Sequence, residues 1–330
     1  DEMHAVGENE RDRLAHRAAS LHERLEVPAE PEPAAREISD GTRETLDRWA
    51  EACSLSNREA FRRRLSWDGL DEARAAVRLE AFDARQASRA WTVWIDRFSE
   101  RARTLSERLA DAAAVLSSQW TGVPEDLPLR ELWLPFVEVG RGELEARYPQ
   151  QTAALGPRAA ATLVEGLDRE VAAAAELAFY EAFCEFRERS SAERSSPAPD
   201  TIHQGFVGAS LGDGLQGLLS AYPVVARDLA RLVETWVDAC GLLLTRAERD
   251  RDALAERFDH GRPAGAITTL VVNLSDRHDG GRRVARVGFE SGLSVFYKPR
   301  EVASEYAFDE LLAWCRDAGL PGCPPELGVL

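Results

Sequence analysis

The stretch SDRHDGGRRVARVGFESGLSVFYKPR (275–300) decides the fold, and it ends at the only lysine of the chain, Lys298. The other 40 of the 41 lysine and arginine residues are arginine. This bias is typical of a G+C-rich coding background, in which lysine drifts to arginine wherever charge alone is needed. A lysine retained directly before Pro299 therefore indicates a task for a compact ammonium that a forked guanidinium does not perform.

Three strands and a helix are predicted around this stretch. AITTLVVNL (266–274) is continuous and β-branched, which is typical of a strand buried on both faces. RRVARVGF (282–289) alternates between apolar and polar residues, and LSVFYK (293–298) alternates again after a tight turn. The following segment, 302–317, has helical spacing and is closed by Gly319. We predict an antiparallel strand trio with a helix packed against it.

Up to about residue 260 the chain has the apolar period of helices. One stripe is formed by Leu229, Leu232, Trp236, Cys240 and Leu243, and such stripes normally form the core. The fold class is therefore α+β and predominantly α-helical. We predict a helical region over 1–200 and, over 201–330, a helix followed by the small sheet. The Ser- and Pro-rich segment 189–200 is the best candidate for the boundary.

Composition limits the class of partner. The net charge is −16, but residues 266–300 carry six basic and three acidic side chains, so this segment is +3 and the rest −19. A basic island in an acidic chain suits a small polyanion and makes nucleic acid an unexpected partner. No apolar run reaches membrane-spanning length and no signal peptide opens the chain, so we expect a cytoplasmic protein without membrane insertion.

The five cysteines and the chain ends lead to two further expectations. The cysteines form no CxxC pair, which argues against a disulfide framework and against a zinc site in this chain. The chain begins at Asp1 without an initiator methionine and ends in PELGVL, so we interpret it as a piece of a longer protein.

The order of the predicted elements is that of the small lobe of kinase-like folds. In such folds a loop between the first two strands covers the phosphates of ATP, and a lysine on the third strand is held by a glutamate of the next helix. Lys298 has that position. Glu305 is the favoured partner, because it falls on the predicted buried stripe of the helix, and Glu310 is the second choice. The predicted apolar face of this helix comprises Phe308, Leu311, Leu312 and Cys315.

The loop SDRHDGG (275–281) differs from a plain phosphate cradle. Gly280 and Gly281 permit a close backbone approach, but an aspartate beside phosphate repels it unless a cation intervenes. His278 is able to donate to a phosphate oxygen or to carry a proton near neutral pH. Taken alone, an aspartate and a histidine spaced as Asp276 and His278 are in a hairpin loop are usually explained by simple turn chemistry.

Three segments together resemble one known family. D-x-H-x-G-G (276–281), F-x-x-G-L-x-x-x-Y-K-P-R (289–300) and F-x-x-L-L-x-W (308–314) resemble the amino-terminal dehydratase domain of the LanM-type, or class II, lanthipeptide synthetases. The family typically carries G-D-x-H-x-x-G and V-Y-K-P-R. Here Ser275 replaces the glycine before the aspartate, and Phe296 replaces the valine before the tyrosine.

The resemblance implies a specific activity. These enzymes phosphorylate Ser and Thr of a ribosomal precursor peptide with ATP and Mg²⁺ and then eliminate the phosphate, in a domain that resembles lipid kinases with added helices. A separate zinc cyclase domain, which this chain lacks, then adds cysteine thiols. The implied catalytic residues are Asp276, His278 and Lys298, and the implied nucleotide-binding residues are Lys298, Arg300, Gly280, Gly281 and Glu305. We expect no metal ligands here, Mg²⁺ ligands beyond residue 330, and no activity of this piece alone.

Two alternatives stay open from the sequence. The first is another kinase-fold phosphotransferase that acts on a small molecule or a protein. The second is a helical, non-catalytic scaffold that binds a peptide. A catalytic lobe and a zinc cyclase beyond Leu330 would favour the dehydratase, whereas a complete protein without a catalytic aspartate would favour the scaffold.

Overall fold

The computed structural model describes residues 2–25, 38–82, 89–107, 129–193, 199–326 and 328–330. The chain divides into two compact units, Asp1–Val93 and Trp94–Leu330. The boundary predicted from the sequence, the segment 189–200, lies within the second unit, and its residues 194–198 are outside the described part of the chain. The predicted boundary segment overlaps a helix that runs to Glu193, and the next helix starts at Pro199 in the same unit.

All regular secondary structure among the described residues of the first unit is helical. Its helices are α1 (Glu2–Ala18), α2 (Leu21–Leu25), α3 (Asp40–Ser54), α4 (Arg58–Trp67) and α5 (Glu72–Ala81). Ser39, Asn57 and Asp71 cap α3, α4 and α5, because each side chain accepts a backbone N–H of the first turn. A small apolar cluster that includes Phe61 and Leu65, both fully buried, joins these helices.

The second unit supplies the scaffold of the site. Its helices are α6 (Thr92–Ser106, which starts in the first unit), α7 (Leu134–Arg147), α8 (Pro149–Ala153), α9 (Pro157–Glu193), α10 (Pro199–Gly212), α11 (Gln216–Ala221), α12 (Pro223–Arg249) and α13 (Arg251–Phe258). The long helices α9 and α12 pack against each other and against α7. The predicted stripe of α12 is buried at all five positions, as expected for a core face. Nowhere in the described segments is a helix both long and apolar enough to cross a bilayer.

A three-stranded antiparallel sheet follows, in the order β1 (Ile267–Val271), β2 (Ala285–Phe289), β3 (Ser294–Tyr297). The prediction of this strand trio is confirmed. Val287 lies opposite Leu270 on one side and Val295 on the other, and this face is turned inward, with Leu270 and Val287 buried. The opposite face presents Arg286 and Phe296, and the Phe296 side chain is 67% exposed. Strand alternation therefore gives the sheet one face toward the helices and one toward solvent.

The helix after the sheet, α14 (Ala303–Asp317), is confirmed, but its predicted buried face is only partly correct, since Leu312 is buried and Cys315 half-buried while Phe308 and Leu311 are not. Phe308 is 48% exposed and Leu311 is 50% exposed, whereas Asp309 and Leu312 are buried. The reason is polar: the Asp309 carboxylate accepts from Arg257 at 3.5 Å and from the N–H of Gly328 at 3.2 Å. These two hydrogen bonds satisfy the buried Asp309 carboxylate, which lies on the inward side of the helix.

Candidate functional site

Lys298 follows β3 directly and forms an ion pair with the first turn of α14. Its Nζ donates to Oε1 of Glu305 at 3.1 Å, so the predicted pairing is present and Glu310, which is exposed, is not the partner. Pro299 is buried and ends the strand where no ladder N–H is required. The chain between Pro299 and the start of α14 at Ala303 is short, and it turns Glu305 back toward the strand. The side chains of Lys298 and Glu305, seven residues apart in sequence, are therefore in contact.

Arg300 shares the same carboxylate. Its guanidinium donates to Oε1 of Glu305 and, at 3.4 Å, to Oε2. The Glu305 side chain is only 17% exposed, whereas those of Lys298 and Arg300 are 41% and 57% exposed. One shielded carboxylate thus holds two cations whose outer surfaces face solvent, and the cluster of Lys298, Arg300 and Glu305 carries a net charge of +1.

The pKa of Glu305 lies below its ordinary value. The main cause is the hydrogen bond from Lys298, with a backbone hydrogen bond and the charges of Arg300 and Lys298 acting in the same direction. A lowered pKa in the folded state means that the carboxylate stabilises the fold above the unfolded pKa. That stabilisation is lost as the pH falls through the lower folded value.

We therefore expect Lys298→Met to raise the pKa of Glu305 toward its ordinary value, because the largest favourable contact is removed while Arg300 remains. The measurement is a carboxyl ¹³C NMR titration of Glu305 in both proteins. An unchanged titration in Lys298→Met would show that Arg300 alone holds the carboxylate.

The loop between β1 and β2 continues the hairpin beyond the strands. The N–H of Leu274 donates to the carbonyl of Val284 at 3.1 Å, and that of His278 donates to the carbonyl of Arg282 at 2.8 Å. Ser275 Oγ accepts the N–H of Val284 at 3.0 Å, so its hydroxyl closes the base of the loop. The serine found where the resembling family has glycine thus has a structural use here.

Helices α9 and α12 hold this loop from one side. Glu170 of α9 forms ion pairs with Arg277 and, at 3.2 Å, with Arg283. Gly281 has a φ of +73° and lies so close to α12 that an added Cβ would be 3.0 Å from the Thr235 side chain. Only glycine satisfies both the positive φ and this close approach.

Asp276 and His278 lie at the exposed tip of the loop. Among the described residues their side chains make no hydrogen bond or ion pair, either with each other or with Lys298. The register does bring them to the same end of the sheet, because Ala285 at the base of the loop pairs with Tyr297, the neighbour of Lys298. The predicted site therefore consists of two parts, a paired lysine and an open loop, that share one edge.

Three polar contacts of the scaffold were not predicted from the sequence. Arg246 of α12 donates to the hydroxyl of Tyr297 at 3.1 Å and ties the end of β3 to the helices. The second contact is the pairing of Glu170 with the loop. The third joins the buried carboxylate of Asp168 to the side chains of Arg130 and Trp133. No local sequence pattern predicts such pairs, because the two partners lie far apart in the sequence.

No group of three or more His, Cys, Asp or Glu side chains able to hold a metal occurs in the part of the chain that is described.

Comparison with known proteins gives a match over part of the chain. Residues 222–326 match a domain of unknown function, DUF4135, and this domain family is associated with lanthionine synthetase-like proteins. The match takes in α12, the sheet and α14, which are the elements that position Lys298, the loop and Glu305. A search of curated proteins gave no match.

Proposed function

We propose that the chain is part of a lanthipeptide synthetase of the LanM type, a cytoplasmic enzyme that dehydrates Ser and Thr of a ribosomal precursor peptide. Phosphorylation by ATP would come first and elimination of the phosphate second. The observation that carries the proposal is the ion pair of Lys298 with Glu305 directly after the third antiparallel strand. The domain-family match over the same residues supports it independently.

The proposal includes a kinase-like small lobe. In that arrangement a lysine held by a glutamate of the next helix contacts the nucleotide phosphates. Lys298 and Arg300 fit this task, because both are partly exposed while the shared Glu305 fixes their positions from the buried side. ATP would supply the phosphoryl group. The ligands of Mg²⁺ would come from sequence beyond residue 330, and those of zinc from a cyclase domain.

Asp276 and His278 would act on the bound phosphates or on the peptide from the loop. Their side chains are exposed and unpaired among the described residues, so they contribute little packing, and loops held by a rigid scaffold are where binding and catalytic residues are concentrated. The imidazole of His278 is able to donate a hydrogen bond to a phosphate oxygen, and Gly280 and Gly281 allow the backbone beside it to approach a ligand closely.

In the complete protein, we expect His278→Ala and Asp276→Asn to reduce dehydration of the precursor peptide about a hundredfold, the usual contribution of one acid–base group. The midpoint of thermal unfolding should change no more than it does for an ordinary surface substitution, because these side chains make no contact with the described residues that would be lost. Mass spectrometry distinguishes the step affected, since phosphopeptide is heavier than the substrate and dehydrated peptide is lighter by one water.

The matched control is Asp252→Asn, on the exposed side of α13. Dehydration at the parental rate in both loop variants would assign Asp276 and His278 to turn chemistry. Phosphorylation of a small molecule or another protein, with no change in the peptide, would favour a different kinase-fold phosphotransferase. Binding of the peptide without any ATP-dependent change would favour a non-catalytic scaffold.

A further inference from the structure

Helix α12 contacts both parts of the candidate site. Gly281 of the loop lies against Thr235 of this helix, and Arg246 of the same helix donates to the hydroxyl of Tyr297, the last residue of β3, at 3.1 Å. Thr235 and Arg246 are 11 residues apart in sequence, which is about three helical turns and about 16 Å along the axis. The loop and the end of β3 therefore contact the same face of α12, and the helix sets the spacing between them.

Helix α12 is a rigid support for these contacts. It is 27 residues long and packs against α7 and α9, with Leu229, Val233 and Val237 fully buried. A close-packed interior has low compressibility, so neighbouring helices hold one another in place. A side chain that extends from this helix to the sheet therefore starts from a fixed position.

The two neighbours of Lys298 in the sequence are held on the inner side of the sheet. The hydroxyl of Tyr297 accepts from Arg246 Nη1, and the guanidinium carbon lies 5.9 Å from the centre of the tyrosine ring. Pro299 is buried. Side chains alternate along an extended chain, so the Lys298 side chain emerges between them on the outer face. Its direction therefore depends on how firmly its two neighbours are held.

The side chain of Arg246 is committed to this one contact. Among the described residues it makes no ion pair, and its hydrogen bond to Tyr297 is its only one. Arg249, three residues further along α12, pairs instead with the adjacent Asp250. The Arg246 side chain is half-buried and so is Tyr297, which limits the screening of their contact by water. Arg246 thus joins α12 to the strand and not to a neighbour on its own helix.

We infer that Arg246 is a positioning residue of the candidate site. Through Tyr297 it fixes the backbone at Lys298, and thereby the direction in which the ammonium meets Glu305. The ammonium contacts this carboxylate at 3.1 Å and has no second acidic partner among the described residues, so its position depends on that contact and on the backbone. The consequence for phosphoryl transfer rests on the proposed function, whereas the effect on the ion pair does not.

The first measurement uses the single lysine of the 330-residue chain, because selective ¹³Cε labelling of lysine then gives one NMR signal. This signal shifts when acid protonates Glu305, the carboxylate that contacts Lys298 and Arg300. In Tyr297→Phe and in Arg246→Met we expect the shift to shrink by about half or more, since the loss of one hydrogen bond changes an equilibrium about fivefold. An undiminished shift in both variants overturns the inference.

Two controls separate positioning from a general loss of stability. Tyr222→Phe removes another tyrosine hydroxyl, at the start of α12, which donates to a glutamate of α9 at 3.2 Å, and it should leave the Lys298 signal unchanged. The double variant Tyr297→Phe/Arg246→Met should differ no more from the parent than either single variant, because both changes remove the same contact. An equal effect of Tyr222→Phe, or additive effects in the double variant, would show general loosening of the fold and contradict a positioning role.

The second measurement is made on the complete protein and depends on the proposed function. Tyr297→Phe should lower kcat for peptide phosphorylation about tenfold and leave KM for the peptide within about twofold, because a misplaced ammonium disturbs the reacting geometry and not peptide binding. Parental kcat in a variant whose Lys298 signal has changed would refute the positioning role. If the parental protein phosphorylates no peptide, the proposed function fails, and the NMR comparison alone decides the inference.

Discussion

Lys298→Arg in the complete protein should lower ATP-dependent phosphorylation of the precursor peptide about a hundredfold or more and leave the fold intact. A misplacement of about 1 Å in a phosphoryl-transfer site has an effect of this size. The ammonium of Lys298 is a point charge set by one contact with Glu305, and a planar guanidinium has a different reach and donor pattern. The chain uses arginine at every other basic position, so this variant tests the one place where the choice differs.

The matched control is Arg316→Lys, at the far end of α14. Arg316 also pairs with a glutamate, Glu326, at 2.6 Å, and its side chain is 46% exposed, close to the 41% of Lys298. This exchange should leave phosphorylation within a factor of about two, because exposed ion pairs contribute little. Phosphorylation at the parental rate in Lys298→Arg, measured by mass spectrometry of the peptide, would show that Lys298 is a structural residue.

The second large effect is on stability, and it concerns the buried ion pair of Asp168 with Arg130. Asp168 of α9 is 1% exposed and accepts from Arg130 Nη2 and from Trp133 Nε1, each at 3.1 Å. Burial raises the pKa of this carboxyl group, and the guanidinium and the indole N–H oppose the rise. Asp168→Ala should reduce the free energy of unfolding by about 3–5 kcal/mol, because it leaves the Arg130 guanidinium buried without its counter-ion.

Asp238→Ala is the control for this prediction. Asp238 pairs with Arg147 at the same distance of 3.1 Å, but its side chain is 58% exposed. Solvent screens this pair, so its loss should change stability by no more than about 1 kcal/mol. Urea unfolding of both variants gives the comparison. A loss in Asp168→Ala no larger than that in Asp238→Ala would show that water replaces the missing carboxylate.

Local patterns were enough to predict the sheet and the lysine pair. The alternation of 282–289 and 293–298 specified which residues face the helices, because a one-residue change in register would turn every side chain to the other face. The helical wheel placed Glu305, and not Glu310, on the side of the helix predicted to be buried; Glu305 does pair with Lys298, although Phe308 on that side is 48% exposed. Both predictions depend only on residues that are close together in the sequence, within one hairpin or one helical turn.

The remaining features depend on contacts between distant parts of the chain. The apolar residues of α14 predicted a buried face at Phe308 and Leu311, but the inward side carries Asp309, which accepts hydrogen bonds from Arg257 and Gly328. Glu170 holds the loop from 107 residues away, and no motif marks it. A polar pair of this kind depends on how distant elements pack together. Neither partner can be recognised from a single sequence.

The most direct test of the central claim uses the fact that Lys298 is the only lysine between residues 1 and 330. In the complete protein, an amine-reactive reagent modifies exposed lysines, and peptide mass spectrometry measures the rate at Lys298 with and without ATP. We predict that ATP slows modification of Lys298 at least tenfold and leaves lysines outside the proposed site unaffected, because bound phosphates cover the ammonium. Equal rates at Lys298 at saturating ATP would contradict its assignment as the nucleotide-binding lysine.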